Sequence, residues 1–351
     1  MASYFEINNF ILNDEFNPYV IAEIGVNHEG RMDLAEELIR QAKSGGAHAV
    51  KFQSYKAEKI ASKNSPAYWD RRKESTNSQY GLFKKYDSFE AKDYIHLAEF
   101  SKELGLDFSS TPFDLEAVEF LNPLVPFFKI ASADITNVPL LRCVGEKNKP
   151  VFLSTGASTI PEIVNAVEII KNSGCDKIVL LHCVLNYPTP ISHAQLLGIK
   201  TLQRAFPDIP IGYSDHVVPD QTISALEVAT LFGCCVLEKH FTHDKKRPGN
   251  DHYHAMDKDD LSLFLNKASI YRSLVGKGPK DLSLEKDARL HARRSIFSNR
   301  KIEKGEKISE EMIISKRPGH GISPLYWDDV IGKVAVDFID DDEMIIWSKL
   351  S

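Results

Sequence analysis

Cysteine is scarce in this chain, with five in 351 residues (Cys143, Cys175, Cys183, Cys234 and Cys235). An odd, small set does not make a disulfide scaffold. Three of the five, Cys183, Cys234 and Cys235, lie in apolar, strand-like runs, so buried thiols in a reducing cytoplasm are expected. Excess positive charge is also lacking. The formal net charge is −6, which excludes bulk attraction for nucleic acid or an anionic membrane. The one compact basic cluster, "DKKRPG", is too short to reverse this. No uninterrupted apolar run reaches membrane-spanning length. The N-terminal "MASYFEINNFILNDEFNP" carries acidic residues and no basic region ahead of an apolar core, which argues against a signal peptide. There is no internal repeat and no low-complexity tract. Nor does a G-x-G-x-x-G dinucleotide fingerprint follow the first apolar run, which reads "EIGVNHEG".

What is present is ordinary globular material, 43% hydrophobic and 26% charged. It suffices for a large core, arranged as one big domain plus a small one or as two of middle size. Eight short apolar, β-branched runs recur: "YVIAEIG" (19–25), "AHAVKFQ" (47–53), "LDFSSTPF" (106–113), "PFFKIAS" (126–132), "PVFLSTG" (150–156), "KIVLLHC" (177–183), "IPIGYSD" (209–215) and "CCVLEKHF" (234–241). Most are continuously apolar in their first half, as suits strands buried on both faces. Amphipathic stretches separate them. In "STIPEIVNAVEIIKNSG", Thr159 and Glu162 form a capping box and Pro161 stands in the first turn. Ile163, Ala166, Val167 and Ile170 then share one face, and Gly174 ends the helix. Leu34, Leu38 and Ala42 share a face in the same way.

Eight strand–helix repeats argue for parallel βαβ units, either in a doubly wound sheet or in a closed (β/α)8 TIM barrel. The length and the missing fingerprint favour the barrel, over residues 1–275. Residues 276–290 read as a polar linker. Residues 291–351, with short strands and Gly-containing turns, read as a small, mostly β domain. Residues 54–88 are too long for a simple βα loop and form either a lid or a surface excursion; the other barrel loops are expected to be short.

Polar residues come at the C-terminal end of each run: Glu23, Lys51, Gln53, Ser109 to Thr111, Lys129, Ser132, Ser154, Thr155, His182, Ser214 to His216, Glu238 and His240. Barrel active sites are built at that face. His216 and His240 end adjacent strands, so their imidazoles either converge on a divalent metal or serve as hydrogen-bonded rim residues. Glu238 shares the strand face of His240 and is a candidate ligand, ligand partner or base. Lys51 and Lys129 end apolar strands and need counter-charges. Either they hold a phosphate or carboxylate beside Gln53, Thr111, Ser132, Ser154 and Ser214, or they pair internally with Glu23 and Glu238, or one forms a Schiff base.

The motifs "AEIGVNHEG", "VKFQ", "STPFD", "FKIASADITN", "LSTGA", "LLHCVLNYPTP", "GYSDH", "LEKHFT" and "RPGNDH" resemble, in order, those of the sialic acid synthase family, and "SKRPGHGI" resembles its antifreeze-like SAF domain. The similarity runs from about residue 18 to 349. It implies condensation of phosphoenolpyruvate with an N-acetylmannosamine-type aldehyde to a nine-carbon 2-keto acid and phosphate. It also implies a divalent ion, commonly Mn2+, with Mg2+ and Co2+ as alternatives. By that resemblance His216 and His240 match the metal ligands. Lys51, Gln53, Thr111, Lys129, Ser132, Ser154 and Ser214 match phosphoenolpyruvate contacts, and Glu23, Tyr187 and Asp251 lie near the sugar. Arg317 matches an arginine that reaches the partner subunit's site in a domain-swapped homodimer. One departure is Leu185, where relatives carry a polar residue; Asn186 follows one place later. The wording after "VKFQ", with "STPFDLE" and "GYSDH", is closer to legionaminic than to pseudaminic acid synthases, and N-acetylneuraminate is the other expected product. Two other readings stand beside this: a barrel synthase for a phosphorylated sugar of octulosonate or heptulosonate type, and a non-catalytic, ice-binding protein.

Overall fold

The structure, a computed structural model, describes residues 5–8, 10–12, 17–69, 71–72, 74–249, 251–276 and 278–351. It divides into two compact units at Gly276. In the first, eight parallel strands form one nearly closed barrel: β1 (Tyr19–Gly25), β2 (Ala49–Ser54), β3 (Asp107–Pro112), β4 (Phe128–Ile130), β5 (Val151–Ser154), β6 (Ile178–Cys183), β7 (Ile211–Asp215) and β8 (Val236–His240). The ladders run β3-β2-β1-β8-β7-β6-β5-β4. At the seam, Ser109 Oγ donates to the Phe127 carbonyl across 3.3 Å.

Side chains alternate across a strand, and here the two rows differ in kind. Val20, Ala22, Val50, Phe128, Val151, Leu180 and Leu237 pack outward with the helices. Tyr19, Ile21, Ala49, Phe127, Phe152, Val179, Leu181 and Val236 form a separate apolar cluster inside. An N-terminal hairpin (Phe5–Ile7 paired with Phe10–Leu12) adds Ile7 and Leu12 to that inner cluster and closes the barrel's lower end. Runs of three residues are too short to stand out as strands, so sequence patterning does not reveal this hairpin. Two residues further along each strand, the inner row turns polar: Glu23, Lys51, Lys129, Ser154, Ser214 and Glu238 are all buried there.

The helix Ile160–Asn172 has the expected Thr159/Glu162 capping box, and Ile163, Ala166, Val167 and Ile170 are buried. Gly174 follows it with φ +111, a left-handed backbone that glycine adopts without Cβ strain. Two expectations need correction. "PFFKIAS" is a strand only over Phe128–Ile130; Ser132 opens a short 3-10 turn, its Oγ accepting the Gly156 N–H at 2.9 Å. Nor are the remaining barrel loops short. Between β8 and the helix Lys258–Val275 lie seventeen residues, 241–257. The backbone pairs Met256 N to His240 O (2.8 Å) and Thr242 N to Met256 O (2.9 Å) stitch this loop back onto the strand end.

Segment 54–88 carries two short helices, Ala57–Ile60 and Gln79–Tyr86. Tyr68 and Tyr86 of this segment lie within electrostatic reach of Asp251. The second unit holds an antiparallel pair, Ser295–Ser298 with Ile313–Lys316, over a core that includes Ile296, Ile302, Ile308, Ile322, Val330, Ile339 and Ile345. None of the five cysteines is in a disulfide, and four of them are buried. No helix of the described residues is long and apolar enough to cross a membrane.

Gly212 sits mid-strand in β7, where a Cβ would collide with Leu181 Cδ2 and lie 2.5 Å from the Val236 carbonyl oxygen. Gly212→Ala is expected to destabilise the barrel by about 1–3 kcal/mol through overpacking. Denaturant unfolding checks this, and an unchanged midpoint contradicts the packing described.

Candidate active site

The lower layer of the pocket is ionic. Lys51 Nζ lies 2.5 Å from Glu23 Oε2 and 3.7 Å from Glu238 Oε2, and donates to Thr111 Oγ1 at 3.0 Å. Lys129 Nζ is 3.5 Å from Glu238 Oε1, which also accepts from Ser214 Oγ at 2.9 Å. Gln53 Nε2 donates to Glu23 Oε1 at 3.0 Å. Both lysines are thus paired with internal carboxylates. The two carboxyls nevertheless differ. Burial pushes Glu23 up to about 7, against the pull of Lys51 and with Glu238 adding to the rise. Burial also opposes ionisation of Glu238, but Lys129 and Lys51 overcome it and hold that carboxyl below its usual range. Two neighbouring carboxyls separated in this way suit one proton-transferring and one permanently ionised role.

The upper layer is a set of imidazoles. The ring centres of His216 and His240 are 5.5 Å apart, and Tyr187 covers His216 at 4.2 Å. His216 Nδ1 bonds the Val184 carbonyl at 2.9 Å, so a proton belongs there. Cys183 Sγ is 3.9 Å from the same Nδ1. Burial, then neighbouring histidine and lysine charge, holds His240 and His254 well below the ordinary range, leaving both neutral. Burial raises Asp251 to about 6, with His216 and Lys51 opposing. Among the described residues, His240, Asp251 and His254 form a group whose ligand atoms all lie within 4.8 Å of one another. His240 Nδ1 and both nitrogens of His254 have no hydrogen-bond partner there. Neutral imidazoles and a carboxylate with free donor atoms fit a divalent ion.

The barrel residues singled out from sequence gather at this mouth. Ser154 Oγ is buried without a partner, and Ser132 is engaged by Gly156 as described. Asn186 departs from the others. It is exposed, on the loop after β6, and lines a cavity with Leu185 and Thr155. Arg317 belongs to the second unit, where it is exposed and its guanidinium has no partner among the described residues. His254 is the residue that sequence reasoning missed. It lies in an irregular loop, where no period marks a side chain's direction; its one signal is the spacing Asp251–His254.

Residues 38–280 match the NeuB family, and residues 293–351 match the SAF domain. The chain belongs to the NeuB family. The resemblance drawn from its motifs, to sialic acid synthases with an antifreeze-like tail, is therefore correct, as is the barrel-plus-SAF fold. An uncharacterised protein of Methanocaldococcus jannaschii is 41% identical, over 95% of this chain and 94% of its own length. The N,N'-diacetyllegionaminic acid synthase of Legionella pneumophila is 36% identical, over 95% and 94%. Among solved structures, the N-acetylneuraminic acid synthetase of Leptospira borgpetersenii has 31% identity and a TM-score of 0.73, covering 82% of this chain and 95% of that one. This NeuB-family chain is accordingly a synthase.

Glu23 is the carboxyl whose ionisation falls nearest neutrality. With Glu23 as the base, activity should rise with pH through an apparent pKa near 7. Glu23→Gln should lower kcat by about 10²–10⁴-fold and flatten that limb. A pH–rate profile decides; a limb that persists in the variant assigns it to another group.

Proposed function

We propose that this chain condenses phosphoenolpyruvate with an N-acetylmannosamine-type aldehyde, forming a nine-carbon 2-keto acid and releasing phosphate. The product is N,N'-diacetyllegionaminate or N-acetylneuraminate, and the Legionella relative's name supports the former. The observation that carries the reading is the layered mouth, with two buried lysines below and neutral imidazoles beside a carboxylate above.

Lys51 and Lys129 bind the phosphate and carboxylate of phosphoenolpyruvate, assisted by Gln53, Thr111, Ser132, Ser154 and Ser214. His216 and His240, with Asp251 close by, would hold a divalent ion, which would supply Lewis-acid polarisation of the aldehyde oxygen. Tyr187 and Asp251 orient the sugar. The enol carbon forms the new bond to the aldehyde carbon, and positive charge develops at C2. Glu238, kept ionised by its two lysines, stabilises that charge. Glu23 takes a proton from the water that adds to C2 and returns it to the former aldehyde oxygen, now a hydroxyl; the C2 hydroxyl gives its remaining proton to the departing phosphate as the bond from C2 to the phosphate oxygen breaks, leaving the keto group. Exclusion of bulk water favours these steps. The exposed Arg317, without a partner among the described residues, suits a cover donated by the neighbouring subunit of a homodimer, where it forms bidentate hydrogen bonds to sugar oxygens.

Phosphate release, coupled to consumption of each of a panel of mannosamine derivatives differing at C4 and C6, tests the reaction and names the sugar. Release that requires a phosphorylated sugar, or none with any derivative, defeats the reading. Lys129→Met should raise the phosphoenolpyruvate KM about 10- to 100-fold, as expected for a lost charged hydrogen bond, with the sugar KM little changed. An unchanged phosphoenolpyruvate KM would leave Lys129 as a structural partner of Glu238. Arg317→Ala and Lys51→Met chains, each inactive alone, should recover activity toward half of wild type per heterodimer after subunit exchange. No recovery in verified heterodimers places Arg317 in its own subunit's site or outside any site.

A further inference from the structure

We infer that His254 is a third imidazole ligand of the divalent ion, joining His216 and His240 and forming one group with His240 and Asp251. The inference rests on the metal reading above and adds a ligand to it.

Three independent observations meet at this residue. First, His254 is fully buried, yet neither ring nitrogen has a hydrogen-bond partner among the described residues. A core histidine without a ligand role is normally satisfied by at least one neighbour. The flanking tyrosines do not serve it: Tyr253 Oη donates to the Tyr187 carbonyl, 3.1 Å away. Second, the ring centres of His240 and His254 are 5.0 Å apart and the rings are inclined at 72°. An ion about 2.1 Å from one nitrogen of each ring would set their centres about 5 Å apart. The Asp251 carboxylate completes the group, with Oδ2 4.0 Å from His240 Nδ1. Third, the loop is held in place. Its ends are pinned to β8 by the backbone pairs between His240, Thr242 and Met256. Asn27 Nδ2 donates to the carbonyls of Phe241 (2.9 Å) and Asp251 (3.4 Å). A donor set presented by a fixed loop does not need to be assembled by the ion.

The chemistry follows from the donor types. A third imidazole at the site moves it along the divalent series, toward Co2+ and Zn2+ and away from Mg2+. Three imidazole ligands still leave coordination positions open for a substrate oxygen.

The test uses full-length protein stripped of metal and titrated with Co2+ alone, read by its visible d–d absorption and by bound-metal stoichiometry. Wild type should bind one ion, and His254→Ala should bind it at least about tenfold more weakly, with an altered spectrum. Wild-type affinity and an identical spectrum in His254→Ala overturn the inference. Crystals of Co2+-loaded wild type provide a measurement that needs no variant. An anomalous peak about 2.1 Å from a His254 nitrogen supports the ligand, and a peak beyond bonding distance of both nitrogens overturns it. Neither measurement contains phosphoenolpyruvate or sugar. A triad that binds metal in a chain that releases no phosphate therefore counts against the proposed reaction alone.

Discussion

Lys51 is the group on which the rest of the site depends. Its ammonium is buried at the level where the barrel's inner row changes from apolar to charged, between Glu23 on one side and Glu238 on the other. A lone ammonium there would be strongly disfavoured, and so would either carboxylate. Each is tolerable because the others are present, and the strands must hold them at fixed separations. The apolar floor beneath them provides that rigidity, since close-packed rings such as Phe127 on Phe152, 4.3 Å between centres, leave little room to shift. The same crowding separates the two carboxyls. Glu238 faces two lysines and stays ionised, whereas Glu23 shares one lysine and is pushed toward neutrality. Removing Lys51 would therefore alter both protonation states at once.

The imidazole layer is built on a different principle. His216 and His240 are placed by strands, as the next inward positions above Ser214 and Glu238. Asp251 and His254 are placed by a loop that returns to the strand end. Alternation sends the intervening Asp215 and Lys239 to the opposite side of the sheet, where they pair with each other at 2.6 Å. The motifs "SDH" and "EKH" thus each split into residues that face the pocket and one that supports the wall behind it.

Much of this was legible in the sequence. The eight apolar runs with polar C-terminal ends contain the inner row's change of character, because strand period and barrel polarity together decide which side chains reach the mouth. Adjacency of β7 and β8 is enough to bring His216 and His240 together. The state of the lysines was not legible, because a strand-end lysine facing an anion site and one facing an internal carboxylate have the same local sequence. The geometry shows the internal pairing. The hairpin Phe5–Leu12 was hidden by its shortness, and His254 by its loop. The length of the β8 loop was underestimated because no turn residue announces its end until the Asp257 cap of the following helix.

The hairpin beneath the barrel has a further consequence. With Ile7 and Leu12 packed against the inner rings, the lower end is stoppered. Both lysines reach Glu238, which precedes His240 by two residues on β8, a step of about 6.6 Å at the usual rise. Among the described residues, a molecule seated on the lysines is thus overlain by anything seated at the rim and leaves past it. Traffic through such a cul-de-sac is single file: the deeper guest must arrive first, and it can leave only after the upper one has gone or become part of it.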